Sequence, residues 1–246
     1  MRRNQSKLRP WKRSWNNAMC VIAIAIKSPL ALDVLKACER SNRDGGGVAW
    51  VENGAVQFRK GLTAAEIHTL IADKPLPHVV HFRIATVGGV SKTLCHPFTV
   101  KASHNAPLEG VAREVLFHNG HLTGWEFSAQ LAGIGIPPGI SDSQAIARIV
   151  AMRGESVLQG FVERGAGKFV VLKANGEAKC YGHFSEWNDG LYSNLHWKHG
   201  LSCNPTHHVT HFPDKPKKHG SYAASFKAQA QFDLQNEQRR WHGYED

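Results

Sequence analysis

The chain has 246 residues, 42% hydrophobic and 20% charged, an ordinary balance for a globular protein with room for one large core or two small ones. Its longest apolar run, about Val21 to Ile26, falls far short of the roughly 20 residues a membrane-spanning helix needs. Five cysteines, odd in number and without a C-x-x-C pair, argue against a disulfide framework and for a reducing, cytoplasmic setting. The net charge of +10 is uneven: residues 1–18 hold Arg2, Arg3, Lys7, Arg9, Lys12 and Arg13 and no acid. The basicity is therefore mostly a leader, and the electrostatic case for a polyanion partner rests on that leader. It has no apolar core of the secretory type. It reads as a propeptide, or as sequence ahead of a working start at Met19, and either way its removal exposes Cys20.

The pattern predicts a buried strand over Cys20 to Lys27, bounded by Ser28-Pro29. Leu30, Val34, Leu35 and Cys38 share one helical face, and the run Gly45-Gly46-Gly47 is expected to stop that helix. Val48 to Val51 and Ala55 to Phe58 flank Asn53-Gly54, a hairpin signal because a type I′ turn needs positive φ at both central residues. Thr63-Ala64-Ala65-Glu66 reads as a capping box opening a short helix that ends before Pro75. His78 to Ile84 and Glu114 to Phe117 read as further strands, the second ending at His118-Asn119-Gly120. A helix is expected over Trp125 to Ala132. Another starts at the capping box Ser141-Asp142-Ser143-Gln144, with Ala145, Ile149 and Met152 on one face. Val157 to Val162 reads as a helical turn, Phe169 to Leu172 and Ala178 to Tyr181 as a hairpin across Asn175-Gly176, and Gly190 to Asn194 as a last strand. Hairpins in blocks, without strict β-α-β alternation, imply an α+β fold of largely antiparallel sheets with helices packed outside. From residue 205 to 246 the composition turns to His, Lys, Pro and Gln, read as a loosely ordered tail.

A chain opening on Cys20 carries a nucleophile and a base on one residue. The thiolate attacks, and the α-amine, with an ordinary pKa of about 7.7 to 8, takes the thiol proton near neutral pH. Taken alone, a cysteine opening a buried strand is more often a small hydrophobe, and Asn119-Gly120 is more often a turn. Arg83 in an apolar strand needs a partner, satisfied by an internal ion pair or by a substrate carboxylate. Asp142 in the first turn of a helix is favoured by the macrodipole whatever else it does. His81 and His118 read more readily as satisfied core histidines than as catalytic ones.

Five motifs change the balance by their order. Met19-Cys20-Val21-Ile22, then Asn42-Arg43-Asp44-Gly45-Gly46-Gly47, then His81-Phe82-Arg83-Ile84-Ala85-Thr86-Val87-Gly88-Gly89 running on to His96-Pro97-Phe98, then Phe117-His118-Asn119-Gly120, then Ser141-Asp142-Ser143-Gln144 resemble, in sequence, the motifs of the glutaminase domain of class II, N-terminal-nucleophile glutamine amidotransferases. The resemblance runs from about residue 19 to 195, with a domain expected over 20–204. It implies a four-layer αββα sandwich. It also implies Cys20 as the nucleophile, Asn119 and the Gly120 N–H as the oxyanion hole, and Arg83, Thr86 and Asp142 as the groups holding glutamine. Val21 stands where the family usually has Gly, and Val87 where a His is common. No cofactor or metal is required. A module of this length without a synthase domain implies an ammonia-accepting synthase subunit as partner, or else a bare glutaminase or a related amidase using another amide, and the waste of losing ammonia to water favours the partner.

A different class of function, metal or nucleic-acid binding on an inactive fold, rests on the leader, with Trp11 and Trp15 among its charges, and on the histidine-rich end. Cys180-x2-His183 and Cys203-x3-His207-His208-x2-His211 have ligand-type residues, but the spacing matches no standard finger.

Overall fold

The computed structural model describes residues 19–85, 89–103 and 105–201. In chain order they form β1 (Val21–Ala25), α1 (Leu32–Ser41), β2 (Gly46–Glu52), β3 (Ala55–Leu62), α2 (Ala64–Ile71), β4 (His78–Phe82), β5 (Phe98–Thr99), β6 (Glu109–Ala112), β7 (Glu114–Gly120), α3 (Trp125–Leu131), α4 (Asp142–Arg153), α5 (Val157–Glu163), β8 (Gly167–Lys173), β9 (Ala178–Tyr181), β10 (Ser185–Trp187) and β11 (Gly190–Tyr192). Two antiparallel sheets result. One runs β10-β11-β1-β4-β2-β3-β6 and the other β5-β7-β8-β9.

Strand alternation sorts the side chains into three apolar layers. In β1, Val21, Ala23 and Ala25 pack with Val34, Leu35 and Cys38 of α1 and with Ile67 and Ile71 of α2. Ile22 and Ile24 point the other way, onto Val115 and Phe117 of β7 and Val170 and Leu172 of β8. On the far side of the smaller sheet, Phe169 and Val171 meet Ala145, Ile146 and Ile149 of α4 and Leu158 and Phe161 of α5. Helices, sheet, sheet, helices is the expected αββα order. Among the described residues no helix is long and apolar enough to cross a membrane.

Local signals account for most element ends. Asn53 and Gly54 both take positive φ (54° and 70°), joining β2 to β3 with Glu52 opposite Ala55. Thr63 and Ser141 each close a reciprocal capping box with Glu66 and Gln144. Two expectations need correction. The glycine run does not stop α1, which ends at Ser41 with Asn42 as its C-cap; Gly46 and Gly47 instead open β2. Nor does Met152 share the buried face of α4: it is exposed, and the buried set is Ala145, Ile146, Ile149 and Val150. The short strands β5, β6 and β10 carried no periodic signal, being two to four residues long.

Candidate active site

The site forms where the two sheets face each other at the start of β1. Cys20 precedes Val21 and shares strand parity with Ile22 and Ile24, so its side chain belongs to the inter-sheet side. Asn119 shares parity with Val115 and Phe117 of β7 and comes to the same layer from the other sheet. Arg83, one residue beyond β4, follows the parity of Val79 and His81. Three positions scattered over about a hundred residues are thus brought to one gap by alternation alone.

Cys20 is half-buried, and its Sγ accepts from the Ile84 N–H at 3.4 Å and faces the Ile84 carbonyl at 3.5 Å. Burial raises its pKa above the ordinary thiol value, an effect partly opposed by the Ile84 N–H and by the positive charge of Arg83. It lines a cavity with Arg83, Ile84, Leu94, His96, His118, Gly120, Ser141, Asp142 and Ser143. A second cavity, with Met19, Asn119, Gly120, His121, Gly165 and Gly167 on its walls, also reaches Cys20. The sulfur is therefore not sealed in hydrocarbon.

Arg83 is buried, and one Nη donates to the Gly89 carbonyl at 2.8 Å. The glycine-rich loop fixes the strand that carries it: Arg83 N–H donates to Gly45 O at 2.9 Å, Asp44 N–H to Arg83 O at 3.0 Å, and Ala85 N–H to the Asp44 carboxylate at 2.6 Å. Glycine is needed there because a Cβ on Gly47 would sit 1.9 Å from the His96 carbonyl oxygen. Thr86 and Val87 lie outside the described residues.

Asn119 and Gly120 are not a turn. They end β7 in register with Lys168 and Gly167 of β8. The backbones touch so closely that a Cβ on Gly120 would lie 2.1 Å from Ala166 O, and one on Gly167, at φ 113°, 2.3 Å from Asn119 O. The Asn119 side chain is fully buried, with one corner of its amide 2.7 Å from Ser193 Oγ.

Asp142 opens α4, where Ser141 is the N-cap. Its carboxylate accepts from Ser143 N–H at 2.8 Å and Leu122 N–H at 3.1 Å and stands 3.2 Å from His121 Nδ1. It is thus a helix-terminus acid and a wall of the Cys20 cavity together.

Three buried histidines flank the site. His118 donates from Nε2 to Ala166 O at 2.8 Å, and its Nδ1 lies 2.9 Å from Ser143 Oγ, a hydroxyl that also points at Asp142 Oδ1 at 3.4 Å. Burial lowers its pKa, an effect partly opposed by the charge of Asp142. It is a satisfied core histidine stacked 4.5 Å over Phe169. His81 donates to the His118 carbonyl at 3.2 Å, and burial with the neighbouring His118 pushes its pKa down to about 3. His96, 4.1 Å from His81 between ring centres, is held well below the ordinary value, first by burial. Neither of its ring nitrogens has a partner among the described residues.

Ser193, Asn194 and His121 carried no signal in the linear sequence. Asn194 donates to Cys20 O at 2.8 Å, and Ile22 N–H donates to Ser193 Oγ at 2.9 Å. Of the metal-type residues, Cys180 and His183 are described; Cys203, His207, His208 and His211, like the leader, lie outside the described residues. Among the described residues no three His, Cys, Asp or Glu side chains are grouped to hold a metal ion.

No family model matches the chain. A glutamine–fructose-6-phosphate aminotransferase (isomerizing) of Agrobacterium fabrum is 31% identical over 143 residues, covering 54% of this chain and 22% of that protein. Among solved structures, glutamine phosphoribosylpyrophosphate amidotransferase of B. subtilis, complexed with ADP and GMP, aligns with a TM-score of 0.45 at 17% identity, over 70% of this chain and 41% of that one. The described domain is an αββα sandwich, two antiparallel sheets between layers of helices. Over those 143 residues the chain is similar to the glutamine-using aminotransferase, a class II glutamine amidotransferase. It spans about a fifth of the length of the curated relative it matches.

Proposed function

We propose that the chain hydrolyses the side-chain amide of glutamine through Cys20 as its first working residue. The reading is carried by one juxtaposition: a cysteine sulfur opening on a cavity whose other walls include Arg83, Asp142 and Gly120. The thiolate adds to the amide carbon, the tetrahedral intermediate expels ammonia, and a glutamyl thioester remains. Water then cleaves the thioester, giving glutamate and restoring the thiol.

Each role falls to a group of suitable chemistry. Burial makes Cys20 a poor spontaneous thiolate, so it needs a base. The described hydrogen-bond partners of its sulfur are both backbone atoms of Ile84. An α-amine on Cys20 itself supplies that base and later the proton for ammonia. Met19 is exposed and lines the second cavity beside Cys20, a position open to removal. Asn119 and the Gly120 N–H serve the oxyanion, a function worth about 3 to 4 kcal/mol per donor. Arg83 takes the substrate α-carboxylate, Asp142 its ammonium, and Thr86 the pocket wall. Ammonia released into water is lost to synthesis, which favours a synthase subunit as recipient.

The test is intact-mass measurement with glutamine turnover, on protein whose first residue is Cys20 and on its Cys20→Ala counterpart. Ammonia and glutamate should appear in equal amounts, and only from the first. Equal release from both would reject the reading, and protein retaining residues 1–19 should be inert because Cys20 then has no free amine.

A further inference from the structure

Ser193 lies just past β11 and is wholly buried. Its backbone N–H donates to Ile22 O at 2.9 Å, and its Oγ accepts from Ile22 N–H at 2.9 Å, so it clasps the strand that carries Cys20. The same Oγ lies 2.7 Å from the Asn119 side-chain amide, on the other sheet. A serine hydroxyl has one proton to give. With Ile22 N–H already pointing at the oxygen, that proton needs an acceptor, and the Asn119 amide is the side chain in reach.

One orientation of the amide sets the Asn119 nitrogen against Ser193. This leaves the hydroxyl proton without a described acceptor and the buried Asn119 Oδ1 without a partner. Oxygen and nitrogen of an amide are interchangeable in shape, and their assignment follows from the hydrogen-bond network. Turning the amide over gives the hydroxyl proton an acceptor and moves the unpartnered corner from oxygen to nitrogen. Ser193 Oγ–H then donates to Asn119 Oδ1, and the amide nitrogen takes the opposite corner, with protons to spare.

We propose that Ser193 is a positioning residue, a hydroxyl bridging the two sheets that holds the Asn119 amide with its oxygen inward and its N–H group turned to the site shared with Cys20 and Gly120. This rests on the glutaminase reading above. It adds that the strand bearing the nucleophile sets the orientation of the oxyanion donor through one side chain, so that the two cannot drift apart independently.

The deciding experiment is a double-mutant cycle on glutamine turnover, with Ser193→Ala, Asn119→Ala and the pair. Ser193→Ala should lower kcat by about 10- to 100-fold, a part of what losing an oxyanion donor costs, with KM unchanged. In the Asn119→Ala background the same change should alter kcat by less than about twofold, because the group it orients is gone. Equal losses in both backgrounds, or none in either, would overturn the proposal. Ser193→Cys, which keeps a weak donor, should recover part of kcat. A crystal structure at atomic resolution decides the matter without activity. Asn119 Oδ1 within about 3 Å of Ser193 Oγ supports the proposal, and the nitrogen there refutes it. Wild-type protein that released no ammonia would sink the glutaminase reading while leaving this arm to decide the orientation.

Discussion

At Gly120 and Gly167 the absence of a side chain is a packing requirement. Their α-carbons face each other across β7 and β8, and a methyl group on either would lie within 2.3 Å of a carbonyl oxygen. Gly167→Ala should therefore destabilise the protein by about 2 to 3 kcal/mol or more, since both backbone strain and overlap oppose it. Urea denaturation monitored by tryptophan fluorescence checks this, and a loss below about 0.5 kcal/mol would show that the strands can separate freely. Asp142 is a different case. Its two carboxylate oxygens each accept one backbone N–H, so Asp142→Asn keeps one of these bonds, loses the other and should cost about 1 to 3 kcal/mol of stability. It should also raise KM for glutamine by about 10- to 100-fold, the worth of one charge-assisted hydrogen bond. An unchanged KM would move the ammonium site elsewhere.

At the scale of elements, α2 and α4 begin with the same device in different places. Thr63 and Glu66 close a capping box at the exposed start of α2, whereas Ser141 and Gln144 close one at a start that also lines the Cys20 cavity. Thr63→Ala and Ser141→Ala should each cost about 1 kcal/mol of stability. Only Ser141→Ala should also weaken glutamine binding, because loosening that turn moves Asp142. Unfolding curves beside KM values separate the two, and parallel effects on both quantities would show that the cap of α4 has no special tie to the site.

For the molecule as a whole, the interior between and behind the sheets holds His81, His96 and His118, all with pKa values driven down chiefly by burial. An unfolded histidine titrates near 6.5, whereas folded His81 does so near 3. Between those values the unfolded chain binds more protons than the folded one. Stability is thus complete above about pH 6.5 and falls as the pH drops through that window, by up to about 1.4 kcal/mol per pH unit for each such histidine. Denaturation free energies at pH 7, 6 and 5 should decline in steps, and His81→Gln should flatten the decline. A constant value over this range would mean that the rings are hydrated or already charged in the fold.

Much of this was legible in the linear chain, and the particular residues show why. Strand β1, the Asn53-Gly54 hairpin and both capping boxes depend on neighbours within a few positions, where propensity and hydrogen-bond chemistry act directly. The α+β class followed from their arrangement, whereas Cys20, Arg83, Asn119, Gly120 and Asp142 were singled out by the resemblance of five ordered motifs to those of class II glutamine amidotransferases. Tertiary structure decided the rest. Asn119-Gly120 has the sequence of a turn, yet pairing with β8 makes it a strand end. Gly46 and Gly47 read as helix breakers, yet open a strand because Gly46 leaves room for the Leu62 carbonyl and the Phe82 ring and Gly47 for the His96 carbonyl. Ser193 and Asn194 are unremarkable serine and asparagine until β11 lays them against Cys20 and Asn119. Contacts between residues more than seventy positions apart leave no local trace, since what selects the residue is a neighbour that only the completed fold supplies.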